Sequence, residues 1–119
     1  MHLLAIRNAT RNTVLGDRIA VADGSLGRLV GLLTSRRLEP GAGLLLVPSQ
    51  AVHTIGMRFA IDVVFIDRAW RAIGLRAEMP PLRLSRVYYK AWAALELPAG
   101  TIALSATSAG DQLAVEDSP

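Results

Sequence analysis

The stretch AIDVVFI, residues 60–66, sets the class of this chain. It is rich in β-branched and aromatic side chains, which suit a pleated, covered surface. Side chains alternate along a strand, so Ala60, Asp62, Val64 and Ile66 share one face and Ile61, Val63 and Phe65 the other. Both faces are apolar apart from Asp62. Its carboxylate is therefore expected to be at least partly desolvated and to need a partner. Arg58, His53, Arg71 or the backbone N–H groups of residues 48–58 are the available choices.

Working outward, short apolar runs alternate with turns, as in an all-β sandwich or barrel. Residues 3–7, 43–47, 70–77, 91–97 and 112–116 read as strands. Residues 13–15 and 18–22 read as two further strands joined by a hairpin at Gly16-Asp17, since Gly tolerates positive φ. Glu39-Pro40-Gly41-Ala42 suits a type II turn, and Pro98-Ala99-Gly100 a type I turn. Pro80-Pro81 ends the strand before it, because neither residue donates a ladder hydrogen bond. Residues 48–58 form an irregular connection, and residues 82–90 are open between strand and loop. The period changes only at Leu26, Leu29, Val30 and Leu33, which fall on one helical stripe with Asp23 or Ser25 as cap. A helical turn is expected near residues 102–106. The expected fold is mainly β (α+β): a compact antiparallel β-sandwich or barrel-like domain of about seven or eight short strands with one short helix near residues 25–34. Residues 1–119 are read as a single domain.

Half of the 119 residues are hydrophobic and few are aromatic, so the core is aliphatic. With no cysteine, disulfides, thiolate metal sites and a cysteine nucleophile are excluded. No signal-peptide pattern or membrane-length apolar run occurs, and a cytoplasmic protein is expected. The net charge of +3 comes from twelve arginines and one lysine, Lys90, against ten acidic residues. The basic excess is mildest evidence for nucleic acid.

The segment VHTIGMRFAIDVVFID, residues 52–67, with GLL and GAGLLLVP upstream and LELPAGT…GD downstream, resembles domain-of-unknown-function family 192. The resemblance runs roughly from Arg18 to Val115. It implies a compact β domain carrying one helix and supplies no activity. Family members often carry Pro where this chain has Ala60, and many carry Gly where it has Arg68-Ala69. A branch with WMKNT in this segment places Trp at His53, which implies that His53 is not obligatory across the family.

Several chemistries are weighed against plainer roles. Asp62 reads first as a structural carboxylate accepting backbone N–H groups, and second as a functional group. His53 beside Thr54 could be a general base oriented by Asp62, or a metal ligand with Asp62 and Glu96; a loop histidine bonded to backbone is commoner. No metal or other cofactor is expected. Ser49, Ser85 and Ser105 lack a nucleophile elbow, and Gly24-Ser25-Leu26-Gly27 lacks phosphate-loop spacing. Arg83, Arg86 and Lys90 with Tyr88 and Tyr89 form the mixture used on single strands, but a solvated basic edge is preferred. Trp70 and Trp92 read as core or interface aromatics rather than ligand platforms.

The leading expectation is a non-catalytic small-molecule or partner-binding β-domain with its site at His53, Thr54, Met57, Arg58 and Asp62. The alternatives are a hydrolase-like enzyme using His53 and Asp62, and weak RNA or single-stranded nucleic-acid binding through Arg83, Arg86 and Lys90.

Overall fold

A computed structural model describes residues 2–22 and 38–119. The strands are β1 (Leu3–Asn8), β2 (Thr13–Ala22), β3 (Ala42–Leu46), β4 (Ile61–Ile66), β5 (Ala72–Met79), β6 (Ala93–Pro98) and β7 (Leu113–Asp117). One short helix, α1 (Thr101–Ser105), lies between β6 and β7. The strands form one sheet in the order β5-β4-β6-β3-β2-β1-β7, curled into a half-barrel. At one end the outer strands meet: Arg71 bridges Gln112, and the Ala72 N–H donates to Asp111 O at 2.9 Å.

The run at residues 60–66 is the central strand β4, every residue of which is buried. It pairs antiparallel with β5 and β6, and the predicted alternation holds. Val64 and Ile66 enter a core to which all seven strands and Ile102 of α1 contribute, on the concave side. Ile61, Val63 and Phe65 enter a second apolar layer on the convex side, covered by Val52, Met57 and Ala91 from the connecting loops. The sheet is thus packed on both faces in its middle, which explains why β4 carries no solvent face.

Two expectations are corrected. No hairpin forms at Gly16-Asp17; β2 runs straight through, and the reversal lies at residues 9–12, where Asn12 takes φ 58°. Gly16 answers to a close approach instead. A Cβ there would stand 2.6 Å from Ile19 Cδ1 and 3.0 Å from Gly41 O, the same carbonyl that accepts from Asp17 and Arg18 N–H. Second, not every pair is antiparallel: β2 and β3 run parallel. Adjacent parallel strands need a long crossover, and residues 23–41 supply it. The Glu39–Ala42 turn forms as expected, with Gly41 at φ 83° and the Ala42 N–H donating to Glu39 O at 3.0 Å. The helix expected near residues 25–34, with its Gly24-Ser25-Leu26-Gly27 start, lies outside the described residues.

Candidate functional site

Asp62 points to the concave side and is fully buried. Its Oδ1 accepts from the Glu78 N–H at 2.8 Å and its Oδ2 from the Ile102 N–H at 2.7 Å. Both donors are products of the fold. β5 bulges opposite Asp62, with Ile61 paired to Met79 but Val63 to Arg76, and Glu78 sits at φ 50°. The bulge turns an N–H inward that a regular strand would aim elsewhere. The second donor is an otherwise orphaned N–H of α1, whose own N-cap, Gly100, offers no side chain. Asp62 thereby ties β4, β5 and α1 together.

Glu96 is the opposite case. It lies on β6 opposite Val63 and Leu44, which places it on the convex side. It is 3% exposed, and among the described residues its Oε2 has no hydrogen-bond partner. Burial pushes its carboxyl up to about 7 from the ordinary 4.5, because the charged form loses its water without gaining a donor. Asp62 and Glu96 face opposite sides of the sheet, so a ligand set of His53, Asp62 and Glu96 does not form.

Above the convex layer, residues 53–55 run antiparallel to residues 82–84 as a clip. Thr54 is its hub, fully buried. Its N–H donates to Arg83 O at 2.9 Å, its carbonyl accepts from Leu82 N–H at 3.2 Å, and His53 bridges Leu84. The Thr54 hydroxyl donates to Pro80 O at 2.6 Å and accepts from Arg83 N–H at 2.9 Å. With Thr54 inward, the alternation turns His53, Ile55, Leu82 and Leu84 outward. Ile55, Leu82 and Leu84 are 52%, 70% and 69% exposed.

A second latch holds the same loops. Tyr88 stacks on Phe65 with ring centroids 4.1 Å apart, and the Arg86 guanidinium lies 4.5 Å from the Tyr88 ring centre. The ring occupies the space where β5 has no side chain: a Cβ on Gly74 would stand 2.2 Å from Tyr88 Cε1. Gly74→Ala should therefore expel the ring and lower stability by about 2–3 kcal/mol. Amide exchange across residues 82–90 would report it; unchanged exchange and melting temperature would disprove the latch.

The expected site residues thus separate. His53 and Arg58 are exposed, whereas Thr54, Met57 and Asp62 are buried in the scaffold. No hydrogen bond joins His53 to Asp62, since both Asp62 oxygens face donors on the other side of the sheet; the dyad of the hydrolase alternative does not form. Ile55, Leu82 and Leu84 escaped the sequence reading because isolated apolar residues in loops are ordinary. Only their pairing across the clip makes them one surface.

A separate polar cluster closes the half-barrel. Asp111 Oδ2 accepts from Asn8 Nδ2, Arg11 Nε and Ser108 N–H at 2.9–3.0 Å. The bonds from Arg11 first, then Asn8 and Ser108, hold its carboxyl down at about 2.

The family profile described as Uncharacterized ACR, domain-of-unknown-function family 192, matches residues 6–115. The chain belongs to this family. Two of the sequence blocks read as family 192 now have structural roles: LELPAGT carries Glu96 and the start of α1, and the Gly-Asp pair carries Asp111. Among solved structures, a family-192 chain of this shape is similar to a protein of unknown function from Novosphingobium aromaticivorans DSM 12444. The TM-score is 0.77 at 17% identity, covering 93% of this chain and 82% of that one. It is also similar to a candidate transcription regulator from Sinorhizobium meliloti 1021, with TM-score 0.72 at 23% identity, covering 98% and 92%. At these identities the likeness shows the fold. No curated protein matches the sequence. Among the described residues no helix is long and apolar enough to cross a membrane.

Proposed function

We propose that this family-192 domain is a non-catalytic binding module, acting in the cytoplasm, whose contact face is the clip. The partner it suits is a protein segment that presents an apolar side chain flanked by acidic residues. The observation carrying this reading is the outward row of Ile55, Leu82 and Leu84, held on a loop pair pinned by Thr54. Exposed apolar surface beside a rigid support is where partners dock. The charge on the same loops is one-signed: residues 48–60 and 80–91 contain Arg58, Arg83, Arg86 and Lys90 and no carboxylate. Such a field favours an acidic partner and speeds its encounter. His53 and Arg58 belong to the face, while Thr54, Met57 and Asp62 support it from below.

The same cations carried the nucleic-acid alternative. Tyr88 is already committed between Phe65 and Arg86, which leaves Tyr89 alone of the two as a stacking ring. The exposed aliphatic row favours protein over single-stranded nucleic acid.

Selection from a displayed peptide library should enrich sequences joining Leu, Ile or Phe to Asp or Glu. Leu82→Glu with Leu84→Glu should weaken the selected peptides at least tenfold. Substitutions at such exposed sites usually alter stability by no more than about 0.5 kcal/mol. Enrichment of no such motif, or equal binding by the double variant, would refute the reading.

A further inference from the structure

Away from the clip, we propose a second site: the cleft between the β4–β5 turn and residues 89–92 binds a small anion carrying a planar ring. The cleft measures about 770 Å³, within the size of small-ligand sites. Arg68 lines it from the turn, and Tyr89, Lys90 and Trp92 line it from the opposite segment. Both cations are exposed, and among the described residues neither side chain enters an ion pair or hydrogen bond. The one carboxylate in the lining, Asp67, is turned onto its own loop: its Oδ1 accepts from Ala69 and Arg71 N–H, both at 2.9 Å.

The walls are fixed. Ser49 N–H donates to Trp92 O at 3.0 Å and Trp92 N–H to Ile66 O at 2.8 Å. Gln50 Nε2 donates to Tyr89 O at 2.7 Å, and Trp70 packs edge-on against Trp92 at 5.5 Å. Binding there needs little ordering of backbone, which lowers its entropic cost. Two cations with no partner among the described residues, one on each side of the cleft, recognise a phosphate or carboxylate. The rings beside them offer a stacking surface, with Tyr89 at 82% exposure wholly available.

The test follows the Trp92 indole N–H and the backbone amides of the full chain by nuclear magnetic resonance. Adenosine monophosphate and 1-naphthoate are the probes, with adenosine and inorganic phosphate as controls. At least one anionic ring should bind saturably, and which of the two binds more tightly separates a phosphate from a carboxylate ligand. The controls should bind at least tenfold more weakly. Arg68→Glu with Lys90→Glu should abolish binding with an unchanged melting temperature; Arg68→Ala and Lys90→Ala singly should each weaken it several-fold. The proposal is overturned if neither anionic ring binds, if a control equals its anionic ring, or if these variants bind like the wild type.

Discussion

Between pH 4.5 and pH 7 the wild-type domain is expected to lose about 3 kcal/mol of stability through Glu96 alone. The folded carboxyl titrates at about 7 and the unfolded one near 4.5, with burial as the cause. The sign follows from proton binding. The fold holds the Glu96 proton more tightly than the unfolded chain does, so the contribution is complete below pH 4.5. It falls away as pH rises and is gone once the folded carboxyl has ionised. Glu96→Gln keeps shape and removes the titration. Its stability curve should therefore lie above that of the wild type at pH 8, and the gap should close on acidification to pH 4.5. Urea unfolding at several pH values would show this, and parallel curves for the two proteins would refute it. With domain stabilities of roughly 5–15 kcal/mol, the effect is a large share of the whole.

Asp62→Ala should cost roughly 2–4 kcal/mol, because it strands the buried Ile102 N–H and the part-buried Glu78 N–H that a carboxylate now satisfies. The loss should not be uniform over the molecule. Amide exchange at Glu78 and Ile102, whose N–H groups point at the two carboxylate oxygens, should accelerate most. Asp62→Asn retains one acceptor and turns an amide N–H₂ toward the other donor, so it should also destabilise, though less than Ala. A stable Asp62→Ala variant with unchanged exchange at both amides would show that the scaffold does not depend on this residue.

The central strand was legible because its pattern is local: apolar residues on both faces around one carboxylate over residues 60–66. The partners of that carboxylate were not, because they come from a bulge and a helix start 16 and 40 residues away. Gly16 looked like a turn residue since sequence shows that it lacks a side chain, not whether φ or proximity requires this. Leu95-Glu96-Leu97 reads like a strand with one solvent face. Only the packed fold, in which Glu96 is all but inaccessible, reveals that the polar side is covered too. The candidate site was partly legible in the same sense. Of the expected residues His53 and Arg58 are exposed, whereas the row of Ile55, Leu82 and Leu84 depends on a pairing between segments almost thirty residues apart.

The most direct test of the binding face is amide chemical-shift mapping of the domain with a library-selected acidic, apolar peptide. Shifts concentrated at residues 53–58 and 82–86, and lost in the Leu82→Glu, Leu84→Glu variant, are the predicted result. Shifts confined to other surfaces, or none at saturating peptide, would contradict the assignment of the clip as the contact face.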